Sequence, residues 1–353
     1  MSSLPLVSII IVNFKNYELT RQCLKSLQST NYSNLEIIVV DNESDAGKLN
    51  HLQSEFRDAK FFPSHENLYY AGGNNYGVSK SRGEFTCLLN NDTVVTPGWL
   101  SPLLLEAQKN PNVLYQPKIL LLDENDRPPS SGSKLYIGSA GDAMQVFGFG
   151  YQEGLGLEDK GQFDEKRIIF FPSGACVFTS RKMLDLLGGL DSKFFTFYED
   201  VNLGWKALLL GYKSFYIPES VIFHKWGGSF GKSLSPTKFQ FIERSRINAL
   251  LLNLSRKSLI IMIPSFLIVE CLILVYSLSN GLFGAKLRAS PEVIKNLPML
   301  INERKKIQTS RKISDKEISE LMSLTIHHPY LGKHSEKLNA ILSFLAKIYK
   351  HLI

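Results

Sequence analysis

The sequence predicts an α/β fold on a largely parallel sheet, and three observations predict it. Short runs rich in Ile and Val alternate with segments of helical spacing from residue 6 to about residue 89. The runs are apolar at nearly every position, as in strands covered on both faces. Three of them stop abruptly at polar clusters: Asn13, Asp41-Asn42 and Asn90-Asn91-Asp92. In open α/β sheets ligands sit beyond the carboxyl ends of the strands, so these ends mark one mouth.

The elements follow in order. Leu6 to Val12 is the first strand, and residues 17–29 set Leu19, Cys23, Leu24 and Leu27 at helical spacing. Leu35 to Val40 is the second strand, residues 46–58 a helix and residues 60–62 a short strand. Asn67 to Gly77 holds Gly72-Gly73 and Asn74-Asn75, with a helix expected from Asn74. Either that helix N-terminus faces a diphosphate, or the glycines form a plain turn with an Asn cap. Phe85 to Leu89 is the strand that delivers Asn90-Asn91-Asp92, and Pro97-Gly98-Trp99 follows. Residues 123–165 are rich in Gly, Pro, Ser, Asp and Glu; loops and short strands lining a substrate entrance are expected there. Order returns at Ile168 to Phe171, then a strand at Ser173 to Phe178, a helix at Arg181 to Leu187 and a strand at Val221 to Phe223.

Composition bounds the classes. The 353 residues suffice for one large domain or two smaller ones, and 44% hydrophobic with 21% charged residues excludes wholesale disorder. Cys23, Cys87, Cys176 and Cys271 form no CxxC pair, which argues against a zinc site or a disulfide scaffold and fits a reducing cytosol. The N-terminal apolar run is too short for a signal and reads as a strand. The net charge of +7 is uneven: Lys286 to Lys316 carries nine Lys/Arg against three acids. A basic segment suits nucleic acid or an anionic membrane. Residues 259–278 decide for the membrane, because they are nearly all apolar and long enough to span a bilayer. Glu270 near the centre costs about 2.5–3.5 kcal/mol on insertion scales. Arg244, Arg246, Arg256 and Lys257 on one side and Lys286 and Arg288 on the other break the one-sided charge pattern of a span. A helix lying in the interface is therefore expected, with a spanning helix and a soluble core helix as the alternatives.

Four segments carry chemistry. Asp41 ends a buried strand in Asp41-Asn42-Glu43-Ser44 and either accepts from a ribose or base or caps the next helix. Asn90-Asn91-Asp92 is a turn or an oxygen-ligand site for a hard divalent cation shared with substrate phosphates. Phe194-Phe195-Thr196-Phe197-Tyr198-Glu199-Asp200 sets paired acids behind an aromatic run, suiting a helix start, a general base, or both. His224-Lys225-Trp226-Gly227-Gly228-Ser229 places a histidine at a strand end.

In this order, with Val7 to Phe14 and Asn67 to Gly77, these motifs resemble family-2 glycosyltransferases, closest to the bacterial rhamnosyltransferase-like branch, over roughly residues 5–255. The resemblance implies a GT-A type catalytic domain at residues 1–255; the apolar and basic residues of the C-terminal third motivate a helical, basic, membrane-associated region at 256–353. The resemblance also implies inverting transfer of a sugar, with rhamnose as one candidate, from a nucleotide-diphosphate donor. The acceptor would be a hydroxyl of a growing, lipid-linked, cell-surface glycan at the cytoplasmic face of the cell membrane, with no nucleic-acid partner. By match, Asn13 and Asp41 would hold the nucleoside, and Asn75 and Asn91 would line the donor pocket. Asp92 and His224 would bind Mg²⁺ or Mn²⁺, and Asp200 would be the base with Glu199 beside it. Asn90 stands where many relatives carry a first carboxylate, and Asn202 where many carry Asp. The reduced metal motif motivates the competing expectation of a catalytically weakened sugar-nucleotide-binding or scaffold protein of a glycan assembly complex.

Overall fold

The computed structural model describes residues 4–353 apart from 43–44, 195–196, 228–230 and 232. Its first half alternates as the apolar runs require: β1 (Val7–Phe14), α1 (Tyr17–Leu27), β2 (Leu35–Asn42), α2 (Ala46–Glu55), β3 (Ala59–Ser64), α3 (Tyr69–Lys80) and β4 (Phe85–Asn90). β5 (Thr93–Val95), α4 (Leu100–Lys109) and β6 (Leu114–Leu121) follow. The polar 123–165 stretch holds only short strands, β7 (Ile137–Ser139), β8 (Asp142–Met144) and β9 (Gly150–Gln152). Then come β10 (Arg167–Ile169), β11 (Cys176–Ser180), α5 (Arg181–Leu187), α6 (Glu199–Leu209) and β12 (Ser214–His224). The C-terminal part is helical: α7 (Pro236–Asn253), α8 (Arg256–Ser279), α9 (Phe283–Ser310), α10 (Asp315–Ser319) and α11 (Ser335–Leu352).

The main sheet runs β10-β12-β6-β11-β4-β1-β2-β3, with β5 on β12 and β7 on β6. β3, β2, β1 and β4 are parallel, as are β6 and β12, while β11 enters antiparallel between β4 and β6. Register carries the functional consequence. Asn13 pairs with Asp41, and Val12 with Asn90, so three polar strand ends arrive at one edge. Alternate residues of β1 serve opposite layers: Val7, Ile9 and Ile11 pack with Cys23, Leu24 and Leu27 of α1, whereas Ile10 packs with Ala71 and Val78 of α3. That two-sided burial is why the run is apolar throughout.

The expected glycine turn at 67–77 is corrected. α3 begins at Tyr69, so Gly72, Gly73 and Gly77 lie inside the helix. A Cβ on Gly77 would stand 2.4 Å from Ile10 Cγ2, and one on Gly73 2.8 Å from Val12 Cγ1. Gly73 and Gly77 let the helix press onto β1; they do not bend the chain around a phosphate.

The C-terminal helices share one apolar cluster with the sheet-bearing part, running from Met144 to Tyr349. α8 is long and apolar enough to cross a bilayer by length and composition. It nevertheless has two faces. Met262, Ser265, Val269 and Ile273 are buried, whereas Ile260, Leu267, Val275 and Leu278 are more than half exposed. Glu270 is drawn inward by Lys286 at 2.7 Å and by Arg246, which also clasps Glu243 at 3.0 and 3.1 Å. Arg244 is buried as well, pairing with Glu292 at 3.2 Å. Arg244, Arg246 and Lys286, counted from sequence among the basic residues flanking the apolar helix, are consumed in tying α7, α8 and α9 together.

Candidate active site

At the β1–β2 edge the side chains form a dense network. Asn13 Nδ2 donates to Asp41 Oδ1 at 2.5 Å, and the Tyr17 hydroxyl donates to Asp41 Oδ2 at 2.9 Å. The Thr20 hydroxyl donates to Asn13 Oδ1 at 2.9 Å, and Asn91 Nδ2 donates to both Thr20 Oγ1 (3.0 Å) and Asn13 Oδ1 (3.2 Å). Asp41 and Asn13 are almost fully buried. Sequence reasoning named Asn13, Asp41 and Asn91 but missed Tyr17 and Thr20. Their position in the first turn after β1 was the available signal, since α1 starts directly over the strand end.

The network leads into the Asp92 corner. Thr93 pairs with His224 across β5 and β12, bringing Asp92 Oδ1 within 3.0 Å of His224 Nε2. Asp92 Oδ1 is buried, yet no hydrogen-bond donor is directed at it. An orphaned carboxylate oxygen facing an imidazole nitrogen fits a shared divalent cation when Nδ1 carries the ring proton. Among the described residues no three His, Cys, Asp or Glu side chains gather as a metal-binding group. Substrate oxygens and water would therefore complete such a cation's shell. Asn90 Nδ2 lies 3.5 Å from His224 Nε2 and adds an amide, not a charge.

The paired acids lie at the start of α6. Asp200 is gripped by two backbone donors, Gly174 N–H to Oδ2 at 2.9 Å and Val201 N–H to Oδ1 at 2.8 Å. The Gly174 turn is fastened from both sides: Tyr70 of α3 donates to the Gly174 carbonyl, and Asn90 N–H donates to Ala175 O at 3.0 Å. The Asp200 support is therefore bonded directly to the strand that carries Asp92. Glu199 is buried and its Oε2 meets no donor. Burial, then the neighbouring Asp200, pushes the Glu199 carboxyl up to about 8, and burial also raises Asp200. The pair thus holds a proton near neutral pH. Phe197 and Tyr198 adopt φ of 65° and 73°, conformations that cost about 1–3 kcal/mol each. The Tyr198 hydroxyl locks its turn by donating to Gly148 O at 2.8 Å and accepting from Gly150 N–H at 3.3 Å.

Two further positions are committed to backbone or helix ties. Asn75 clamps Leu190, donating to its carbonyl at 2.7 Å and accepting its N–H at 3.0 Å. Asn202 accepts from Asn253 Nδ2 at 3.0 Å and so ties α6 to α7. Glu43, Ser44, Phe195, Thr196, Gly228 and Ser229, all within the motifs read from sequence, lie outside the described residues.

The model of the family described as Glycosyl transferase family 2 matches residues 8–188, a span holding Asn13, Asp41, Asn75, Asn91 and Asp92. The uncharacterized protein y4gI of Sinorhizobium fredii is 30% identical over 255 residues, which cover 67% of this chain and 26% of that protein. The GalNAc(5)-diNAcBac-PP-undecaprenol beta-1,3-glucosyltransferase of Campylobacter jejuni is 33% identical over 110 residues, 30% of this chain and 36% of that one. The chain thus spans roughly a quarter to just over a third of the length of these curated relatives. The crystal structure of GalNAc-T7 with UDP, GalNAc and Mn²⁺ superposes with a TM-score of 0.57 at 16% identity, covering 71% of this chain and 48% of that one. That likeness is one of fold, and it agrees with the GT-A type architecture of mixed sheet and flanking helices. The family model spans just over half of the chain, and on that match the chain belongs to glycosyl transferase family 2.

Proposed function

We propose that the protein moves a sugar from a nucleotide-diphosphate donor to a hydroxyl of a growing, lipid-linked, cell-surface glycan, with inversion at the anomeric carbon. The observation that carries this reading is a path of hydrogen bonds and peptide links from the sheet edge to the start of α6. It runs from Asp41 through Asn13 and Asn91, and from Asn90 through the 174–175 turn to Asp200. In this reading Asp41 and Asn13 hold the nucleoside and Asn91 borders the donor pocket, while Asn75, its amide spent on Leu190, shapes the pocket through the turn it clamps. A divalent cation, Mg²⁺ or Mn²⁺, bound by Asp92 and His224 would offset charge on the departing diphosphate. Asp200, aimed by its two backbone donors, takes the proton of the acceptor hydroxyl as that oxygen bonds the anomeric carbon from the side opposite the leaving group. Glu199 stays protonated beside it and keeps the pair at a single negative charge.

The UDP and Mn²⁺ named for GalNAc-T7 support the donor and cation classes, and the PP-undecaprenol in the Campylobacter relative's name supports a lipid-linked acceptor. Rhamnose as the sugar rests on the motif likeness alone. Residues 1–255 are assigned catalysis, and 256–353 a helical layer that lies on the cytoplasmic membrane surface. The exposed stripe of α8 supports that layer, together with exposed Phe283, Leu287, Ile294 and Ile301 of α9, running on toward exposed Lys305. The three buried cysteines are free thiols, in keeping with a reducing compartment.

A thermal-shift screen of UDP-, GDP- and dTDP-sugars with and without Mn²⁺ tests the reading. At least one donor should raise Tm in a Mn²⁺-dependent way, because saturation at 100 times Kd stabilises by about 2.7 kcal/mol. No shift from any sugar nucleotide would overturn it. A second reading, a sugar-nucleotide-binding protein without turnover, is favoured by the single carboxylate at the Asp92 corner. Donor hydrolysis or transfer that EDTA abolishes would reject that alternative.

A further inference from the structure

Between α7, α8, α11 and the segment before α11 lies a cavity of about 190 Å³. Its wall is almost wholly apolar, with Phe239, Val269, Ile273 and Leu342 from the three helices and Tyr198 closing the end nearest the paired acids. The cavity is half open to solvent and has room for about six times a water's share of liquid volume. Concave, mostly apolar pockets with a few polar groups at their edge are the usual form of a ligand site. Glu243 borders the cavity but is spent on Arg246 and Lys286. His328 also borders it, and burial holds its pKa down to about 4, so it is neutral there.

A cation stands behind the lining Tyr330. Lys238 is buried, and its Nζ donates to the Tyr330 hydroxyl at 2.7 Å and to Gly231 O at 3.2 Å. Among the described residues no carboxylate pairs with it. A buried ammonium held only by neutral oxygens suits an anionic group from outside the chain. Lys238 Nζ lies 5.9 Å from the centre of the Phe197 ring, two residues before Glu199. On its other side the cavity is backed by α8, whose outward face is the exposed apolar stripe.

We propose that this cavity binds a lipid phosphate, its hydrocarbon chain against Phe239, Val269, Ile273 and Leu342 and its phosphate on Lys238. Placed so, the head group emerges beside Phe197 and Tyr198, and whatever it carries faces Glu199 and Asp200. The proposal rests on the transferase reading and names where the lipid end of the acceptor sits.

Calorimetric titration of the full chain with farnesyl phosphate, below its micellar concentration, tests this. One-site saturable binding is expected, with farnesol at least tenfold weaker and inorganic phosphate at least a hundredfold weaker. Ile273→Trp, which fills the cavity, should weaken farnesyl phosphate at least tenfold. Lys238→Met fills nothing and guards against a folding defect in the first variant; it should weaken farnesyl phosphate about tenfold and leave farnesol unchanged. Equal farnesyl phosphate binding by wild type and both variants would overturn the proposal, as would inorganic phosphate binding as tightly as the prenyl phosphate. Sugar-nucleotide binding is measured on the same wild-type preparation. If it persists while farnesyl phosphate fails, the cavity assignment alone is wrong; if it is absent, the transferase reading falls too.

Discussion

Asp41 and Glu199 are both buried acids at the ends of regular elements, but their surroundings differ in kind. Asp41 receives an amide and a phenol, one on each oxygen, and a second layer of Thr20 and Asn91 holds the amide in place. Glu199 has an oxygen with no donor and a second carboxylate beside it. Hydrogen bonds to a charged form favour it, while burial and a like charge disfavour it. The first environment therefore builds a fixed acceptor, suited to hold a hydroxyl or an N–H of a ligand. The second builds a proton store. In the proposed reading the supply of donors, not residue type, separates recognition at Asp41 from proton transfer at the start of α6.

The largest effect that would break this contrast is loss of the base. Asp200→Asn keeps the size of the side chain and removes the proton acceptor, so transfer should fall about 10²–10⁴-fold while donor affinity changes little. Steady-state kinetics alongside donor titration checks it. Unchanged turnover would assign the proton step elsewhere.

Next comes the proton store itself. Glu199 keeps its proton to about pH 8 in the folded chain, against an ordinary value of 4.5. Between those values the folded state binds more protons than the unfolded state, so stability should fall as pH rises across that window. The loss is on the order of a few kcal/mol. Glu199→Gln has nothing to titrate and should flatten the decline. Urea unfolding from pH 4.5 to 9 measures both slopes, and identical slopes would mean that Glu199 ionises freely in the fold.

At the other end, Asp41→Asn should weaken nucleotide-sugar binding by roughly 1.5–3 kcal/mol, the range for a hydrogen bond to a charged group, and leave kcat nearly unchanged. The new amide also points a donor at either Asn13 Nδ2 or Tyr17, both of which donate there now. A fall in kcat with Kd unchanged would reverse the roles assigned to the two acids.

The strand ends were legible because burial on both faces forces an apolar run, and a run stops visibly where polar side chains begin. Asn13, Asp41, Asn91 and Asp92 were found that way. Asp200 was found as an acid at a helix start, but the donors that aim it were not, because Gly174 supplies a backbone N–H that any residue could supply. The glycines of α3 misled for a related reason. Glycine signals a turn when φ is positive and close packing when a neighbour crowds its Cβ, and only the tertiary contact with Ile10 and Val12 decides between them. Glu270 read as a costly charge in a bilayer because its partners Arg246 and Lys286 lie 24 and 16 residues away, beyond any local pattern.

The smallest test separates the two layers around Asp41. Tyr17→Phe deletes the hydroxyl that donates to Asp41 Oδ2 and accepts from Asp45 N–H at 2.8 Å, but keeps the ring. Asn13 still holds the other oxygen, so the carboxylate should stay in place. Donor affinity should drop by about 1 kcal/mol, roughly fivefold, because one net hydrogen bond is removed and water can replace part of it. An effect as large as that of Asp41→Asn would mean that Tyr17 touches the nucleotide itself. No effect at all would mean that the Tyr17 hydroxyl is not needed to fix the acceptor.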